Sequence, residues 1–332
     1  MKIFHKIQSL NVWKLISFIV FPIFDFIFEY IINFRRKLMF IFLNLPNPNF
    51  KISKFSILKF VDNDNHHKKL YKIVKDSIDE QILNNARNKI NNDSSPRVFS
   101  ADLFKNFKDE DKKKIIKWAL NKQTIANVSP YFGYLPYLAG ISVLFNIPKK
   151  GSQQEGSKCW HRDSGVYKTI DIWTTIVDVD DDTGPFYVIP CSAILKNETI
   201  LKDHGSKKLI DPWIDGRISD DQMSRFINTD DIKSIKGEAG TTMITDSASN
   251  YHKGGFCKSK ERIIIRIYYD AWSTSVVEDL NINMNDFLTD DKLNNKLTKY
   301  ILSKRESRFF KKISFSILKI FRFAKREKYN AI

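Results

Sequence analysis

The sequence predicts a mainly β fold with flanking helices, an α+β arrangement, on two observations. From residue 130 onward the chain has short apolar runs bounded by turn residues, at 138–145, 169–179, 186–189 and 237–245, which is typical of strands. Over residues 51–125 the pattern is one of mixed helix and loop, with a helix predicted over 109–120.

A chain of 332 residues is long enough for two domains. We expect one catalytic domain with terminal extensions, because no linker rich in Gly, Ser or Pro divides the middle. The predicted parts are an apolar, basic segment at 1–50, a catalytic domain at 51–275 and an extension at 276–332.

His161 and Asp163 lie two residues apart in a segment that reads as extended, so both side chains reach the same side of a strand. A metal needs a third ligand, and the best candidate is His252 in NYHKGG. His204 is the rival, but it lies in the lysine-rich loop KDHGSKK with no strand before it. Two His and one carboxylate are the ligands of non-haem Fe(II) oxygenases, which keep positions open for a chelating co-substrate and O2.

Arg262 follows His252 by ten residues and begins the apolar run at 263–269. An arginine suits the far carboxylate of 2-oxoglutarate, because its planar fork pairs bidentately with a carboxylate and keeps its charge. Arg266 lies on the same face of this strand and is the reserve partner for 2-oxoglutarate.

The segments WHRD, DVDDDTGPFYVIPCSA, TDSASNYHKGG and ERIIIRIYY, in this order, resemble the phytanoyl-CoA dioxygenase family over about residues 130–272. The resemblance implies that His161, Asp163 and His252 bind iron and that Arg262 binds 2-oxoglutarate. It also implies a double-stranded β-helix core (a cupin-like jelly roll). Many relatives continue an IPGS segment with His; this chain departs from that pattern outside the ligand set, with Ile189-Pro190-Cys191-Ser192-Ala193.

The predicted activity is that of an Fe(II)- and 2-oxoglutarate-dependent dioxygenase using O2. It would hydroxylate an aliphatic carbon of a lipid, lipid-linked or small-metabolite substrate and release succinate and CO2. Asp163 favours hydroxylation, because related halogenating enzymes lack this carboxylate. The alternatives are a jelly-roll metal enzyme that hydrolyses or isomerises without O2, and a membrane-associated binding protein whose site has decayed.

Several other polar residues receive a structural interpretation. The three cysteines form no disulfide pattern, which favours a reducing, cytoplasmic compartment. The acids at 178–182 are explained by a turn rather than by a calcium site, and His66 and His67 are expected to be solvated. The insertion at 194–236 is expected to cover the substrate, with Trp213 and Arg217 lining the pocket.

The net charge of +16 is concentrated at the ends, with +4 in residues 1–50 and +8 in residues 303–332. The region 15–34 is apolar with one polar stripe, and 308–325 has the pattern of a basic amphipathic helix. These ends predict peripheral contact with an anionic membrane surface on its inner face. A membrane-spanning helix over 15–34 and packing on the catalytic core are the alternatives. No nucleic-acid-binding module is visible.

Overall fold

Two antiparallel sheets face each other in the computed structural model, which describes residues 33–48, 58–61, 65–93, 95, 100–149, 154–163, 168–196, 217–271 and 283–302. The larger sheet has the strand order β1-β7-β4-β9-β3-β2, and the smaller sheet has the order β6-β5-β8. The strands are β1 Leu58–Val61, β2 Ser100–Asp102, β3 Tyr137–Asn146, β4 Thr169–Thr175, β5 Phe186–Ile189, β6 Lys233–Ser234, β7 Thr242–Thr245, β8 Tyr251–Gly254 and β9 Arg262–Asp270.

The connections between strands define the fold. After β3 in the larger sheet, Trp160 and His161 run beside Ile218 and β8 on the smaller sheet, and the chain then returns to β4. It continues through β5 and β6 in the smaller sheet, β7 in the larger, β8 in the smaller and β9 in the larger. This repeated crossing is a double-stranded β-helix, or jelly roll, so the predicted fold class is confirmed.

Strand β9 lies between β4 and β3 and divides its side chains between two environments. Ile263, Ile265 and Ile267 point away from the smaller sheet and join the large core cluster shared with the helices. The alternate residues Arg262, Ile264 and Arg266 point into the space between the sheets. One strand therefore anchors the helical layer and also carries both predicted arginines into the interior.

Helices cover the outer face of the larger sheet. Ile115 and Ile116 of helix α4 (Asp109–Ala119) and Ile125 and Val128 of helix α5 (Lys122–Phe132) belong to the same buried cluster as the outward side chains of β3, β4 and β9. Among the described residues, the helices are α1 Phe34–Phe42, α2 Asn65–Asp76, α3 Glu80–Asn92, α4 Asp109–Ala119, α5 Lys122–Phe132, α6 Cys191–Lys196, α7 Asp220–Ser224 and α8 Lys292–Leu302.

The expectation that His66 and His67 are solvated is wrong. Both lie on α2, where His67 is buried and shares the spacing of Leu70 and Val74 along one helix face. His66 stacks on the ring of Trp118, with 4.7 Å between the ring centroids. The neighbouring Asp, Asn and Lys residues disguise this amphipathic pattern in the sequence.

Parts of both end regions pack on the jelly roll. Arg36 of α1 is buried, donates to the carbonyl of Leu135 at 2.6 Å and stacks on the Tyr137 ring at 3.6 Å. Leu297 and Ile301 of α8 belong to the large core cluster. Among the helices that the structure describes, none is long and apolar enough to cross a membrane. The segments 308–325 and 15–32 lie outside the described residues.

We predict that Gly184→Ala destabilises the fold more than Gly133→Ala. Both glycines have a positive φ, which costs an alanine about 1–2 kcal/mol. A Cβ at Gly133 would meet no atom within 4 Å, whereas a Cβ at Gly184 would overlap the backbone carbonyl of Phe256. Urea unfolding of the two variants measures the difference, and equal losses of free energy of unfolding would contradict the tight packing at Gly184.

Candidate metal centre

The main chains of His161 and His252 pair directly and bring the two imidazoles together. His161 N donates to His252 O at 3.1 Å, and His252 N donates to His161 O at 2.9 Å. Asp163 lies beside these two histidines, where its main-chain N donates to Ser247 O at 2.9 Å. The three side chains offer ligand atoms that all lie within 4.8 Å of one another.

Each imidazole is held in the tautomer that leaves Nε2 free to bind a metal. His161 Nδ1 lies 2.8 Å from Cys159 O, and His252 Nδ1 lies 3.2 Å from Asn250 O. A carbonyl oxygen only accepts hydrogen bonds, so Nδ1 carries the proton in both rings. The Nε2 atoms of His161 and His252 lie 4.0 and 3.5 Å from Asp163 Oδ1. Burial, followed by the nearby His252, lowers the pKa of His161 to about 4, so His161 is neutral at pH 7.

The two carboxylate oxygens of Asp163 have different surroundings. Oδ1 faces the imidazoles, whereas Oδ2 accepts from Ser247 Oγ at 2.8 Å and from Arg266 Nη2 at 2.6 Å. Burial alone would raise the pKa of Asp163, but Arg266 and His252 outweigh it and hold this pKa well below its ordinary value. The centre thus offers a neutral imidazole at His161 and an ionised carboxylate at Asp163, which are the protonation states that a divalent metal requires of these ligands.

The loop that carries Ser247 is fixed by a buried acid. Asp246 Oδ1 accepts from the main-chain N of Ala248 at 2.8 Å and of Ser249 at 3.2 Å. Its Oδ2 accepts from the hydroxyls of Tyr131 and Ser249. These bonds hold the short connection between β7 and β8, and so they position both Ser247 and His252.

Arg262 is fully buried in the interior and has no acidic partner among the described residues. Its Nη1 donates to Gly184 O and its Nη2 to Asn146 Oδ1 at 3.0 Å, while its Nε has no hydrogen-bond partner. Gly254 leaves room for this side chain, because a Cβ there would lie 3.4 Å from Nη2. Gly254 is two residues after His252 on β8, a separation of about 7 Å along the strand.

Trp173 supplies a second buried donor without a partner. Its Nε1 makes no hydrogen bond among the described residues, and its ring stacks on Phe186 with 4.3 Å between centroids. Trp173, Phe186 and Ile264 belong to the apolar cluster between the sheets. Trp173 lies opposite Arg266 in the pairing of β4 and β9.

Lys158 is buried near Arg262 and donates to Gly255 O. Burial is the main cause, and the charge of Arg262 the second, of a pKa lowered from its ordinary value to about 7. The region around Gly254 and Gly255 thus combines a guanidinium and an amine that titrates near neutral pH.

The other residues singled out in the sequence lie outside the metal centre or outside the described residues. Cys159 Sγ donates to Gln154 O at 3.0 Å, and Arg217 Nη1 donates to Gly156 O at 2.5 Å. Asp180 closes the predicted acidic turn by accepting from the main-chain N of Asp182 and Thr183, each at 3.0 Å. His204 and Trp213 lie outside the described residues.

The sequence singled out His161, Asp163 and His252, which the structure brings together, but not the residues that position them. Ser247, Asp246 and Trp173 were not singled out, and neither was Asp171, which is buried on β4 beside Arg266. Asp171 had one available signal, because it is a charged residue within the otherwise uncharged run at 169–175.

No family model matches the chain, and no curated protein matches it in sequence. The resemblance to the phytanoyl-CoA dioxygenase family therefore stays a prediction.

Several solved structures are similar to this chain. One is the non-heme alpha ketoglutarate dependent carbocyclase SnoK from nogalamycin biosynthesis, with 11% sequence identity and a TM-score of 0.43. This match covers 72% of this chain and 94% of SnoK. Apo EctD from S. alaskensis has 11% sequence identity and a TM-score of 0.42, and the match covers 79% of this chain and 89% of EctD. The epimerase SnoN, solved in complex with Fe3+, alpha ketoglutarate and nogalamycin RO, has 13% sequence identity and a TM-score of 0.38. This match covers 69% of this chain and 86% of SnoN.

We predict that Lys158→Met stabilises the protein, and that the gain shrinks as the pH rises. The lowered pKa means that the unfolded state binds more protons than the folded state between about pH 7 and the ordinary lysine pKa of 10.5. The wild-type free energy of unfolding therefore rises with pH in this window relative to the variant. Urea unfolding at pH 6.5 and 9.5 measures the effect, and a difference independent of pH contradicts it.

Proposed function

We propose that this chain is an Fe(II)- and 2-oxoglutarate-dependent dioxygenase that hydroxylates an aliphatic carbon of its substrate. The observation that carries the proposal is the cluster of His161, Asp163 and His252, whose ligand atoms lie within 4.8 Å of one another inside a jelly roll. Two imidazoles and one carboxylate on one side of a metal favour non-haem Fe(II) chemistry.

The chain's own bonds prepare the three ligands for this metal. The Nδ1 contacts direct both Nε2 atoms inward, and the contacts to Asp163 Oδ2 leave Oδ1 for the metal. When bound, Fe(II) with 2-oxoglutarate and O2 would supply the oxidant that inserts oxygen into a C–H bond, with release of succinate and CO2. The protein's contribution is to orient the reactants and to keep water away.

Arg262 is the residue that we assign to the far carboxylate of 2-oxoglutarate. Its buried charge lacks an acidic partner among the described residues, and both its Nε and Trp173 Nε1 lack a hydrogen-bond acceptor. A carboxylate bound by Arg262 would remove the cost of burying this charge unpaired. Arg266 is less suited to this role, because Asp163 and Asp171 already neutralise its charge.

The reaction and the substrate are proposed on narrower grounds. Asp163 provides the carboxylate that halogenating relatives lack, which favours hydroxylation. A lipid, lipid-linked or small-metabolite substrate follows from the resemblance and from the composition of the chain ends. A cytoplasmic location is in line with three free cysteines, Cys159, Cys191 and Cys257.

The proposal is tested by loading the protein anaerobically with Fe(II) and measuring Fe(II) binding, 2-oxoglutarate binding and succinate formation in the same samples. We expect His161→Ala to lose metal binding and turnover. Arg262→Ala is expected to keep the metal and to weaken 2-oxoglutarate binding at least tenfold, since a charge-assisted contact contributes about 1.5–3 kcal/mol.

Arg225→Ala is the matched control, because Arg225 forms an exposed ion pair with Asp221. It should behave as wild type in all three measurements. Metal binding without 2-oxoglutarate binding or turnover in wild type would overturn the oxygenase proposal and favour the jelly-roll metal enzyme that works without O2. Absence of metal binding in wild type would overturn both.

We also propose that α1 contacts an anionic membrane surface. Arg36 attaches this helix to the jelly roll, and the opposite side exposes apolar side chains. Phe34 is 54%, Ile41 63% and Phe42 72% exposed, and the basic residues Arg35 and Lys37 lie among them. This combination is typical of helices that lie in a membrane interface.

Vesicle co-sedimentation tests the membrane proposal. We expect the double substitution Ile41→Ser and Phe42→Ser to weaken binding to vesicles of phosphatidylserine and phosphatidylcholine by about tenfold or more, since burying each side chain contributes about 1.5–3 kcal/mol. Leu293→Ser on α8 is the control, because Leu293 is also exposed, at 51%. Equal binding by wild type and the double variant would refute a contact through α1.

A further inference from the structure

Arg266 joins the candidate metal ligand Asp163 to a second, deeply buried acid. Its Nη2 donates to Asp163 Oδ2 at 2.6 Å and to Ser247 Oγ at 3.3 Å, and its Nε donates to Asp171 Oδ1 at 2.7 Å. The guanidinium also lies near two aromatic rings, with its Cζ 5.1 Å from the Trp173 centroid and 4.5 Å from the Tyr268 centroid. Its orientation is therefore fixed on several sides.

Asp171 supplies the charge that keeps Arg266 in place. It lies on β4, opposite Tyr268 of β9, and its side chain is fully buried. Its only described hydrogen-bond donor is Arg266, because Oδ2 is buried and has no partner. An ionised carboxylate with this little solvation needs a nearby cation, and Arg266 likewise needs an anion. Arg266 and Asp171 therefore stabilise each other as a buried ion pair.

We infer that Arg266 is a positioning residue for the metal and that Asp171 acts through it. Arg266 and Ser247 occupy Oδ2 of Asp163, so that only Oδ1 is available and Asp163 binds the metal through one oxygen. This inference rests on the proposed function only in requiring that His161, Asp163 and His252 bind a metal. This role differs from the one predicted from the sequence, in which Arg266 was the reserve partner for 2-oxoglutarate.

Holding Asp163 to one oxygen has a consequence for the reaction. A carboxylate that is free to rotate can bind a metal through both oxygens, which occupies one more coordination position. A chelating co-substrate and O2 together need three positions beside the three protein ligands. By occupying Oδ2, Arg266 and Ser247 keep the third of these positions open.

The experiment measures Co(II) binding to the full chain without co-substrate, by titration and by the visible absorption spectrum, which reports the coordination geometry. We expect Arg266→Gln to weaken Co(II) affinity about 10- to 100-fold, as is usual when a residue that orients a metal ligand is lost. We also expect its Co(II) spectrum to differ from that of wild type. Arg266→Lys should recover part of the affinity, because it keeps the charge but not the planar fork.

Asp171→Asn provides the second measurement. If Asp171 acts through Arg266, Asp171→Asn weakens Co(II) binding alone but adds little to Arg266→Gln in the double variant. If the losses of Co(II) binding free energy in the two single variants add in the double variant, Asp171 does not act through Arg266. Arg225→Gln is the control for removing an arginine that has an acidic partner, and it should bind Co(II) as wild type does.

Circular dichroism and urea unfolding establish that each variant is folded, and the milder Arg266→Lys provides the test if Arg266→Gln does not fold. A folded Arg266 variant with wild-type Co(II) affinity and spectrum overturns the inference, provided that His161→Ala loses binding. If Co(II) results are as expected but 2-oxoglutarate is neither bound nor turned over, the inference stands and the proposed oxygenase function fails. Wild-type affinity in His161→Ala overturns both.

Discussion

The need to pair every buried charge organises the interior of this jelly roll. Transfer of an isolated ion from water into a protein core costs several kcal/mol even after relaxation. The described interior nevertheless contains Asp163, Asp171, Arg262 and Arg266 close to the candidate metal ligands. Arg266 contacts both Asp163 and Asp171, so each of these three charges has an opposite charge beside it. Arg262 is the exception, because it has no acidic partner among the described residues, and this unpaired charge is the physical argument for a bound anion.

Local patterns in the sequence were sufficient to predict the strands of a mainly β fold with flanking helices, whereas the jelly roll was implied by the family resemblance. Alternation placed His161 and Asp163 on one face, and the apolar run after Arg262 became β9. The predicted acidic turn also formed, since its Asp180 accepts bonds from residues two and three positions later. Such features depend on neighbours in the chain and not on long-range pairing.

The remaining parts of the site depend on cross-strand register, which the sequence does not state. Asp171 pairs with Arg266 only because β4 and β9 are adjacent in the sheet. Ser247 reaches Asp163 because the connection between β7 and β8 passes beside it. The error at His67 has a related cause, since local polarity suggested solvent exposure while packing of α2 against the core buried this residue.

Arg262 and Arg266 illustrate why spacing alone could not assign their roles. They are the same residue type, on the same strand and on the same face, about 13 Å apart along β9. Burial opposes the charge on both, but Asp171 and Asp163 outweigh it and raise the pKa of Arg266, whereas burial lowers the pKa of Arg262. An arginine already paired with two carboxylates gains little from a third anion, while an unpaired buried arginine gains much. The surroundings of each side chain therefore favour co-substrate binding by Arg262 and ligand positioning by Arg266.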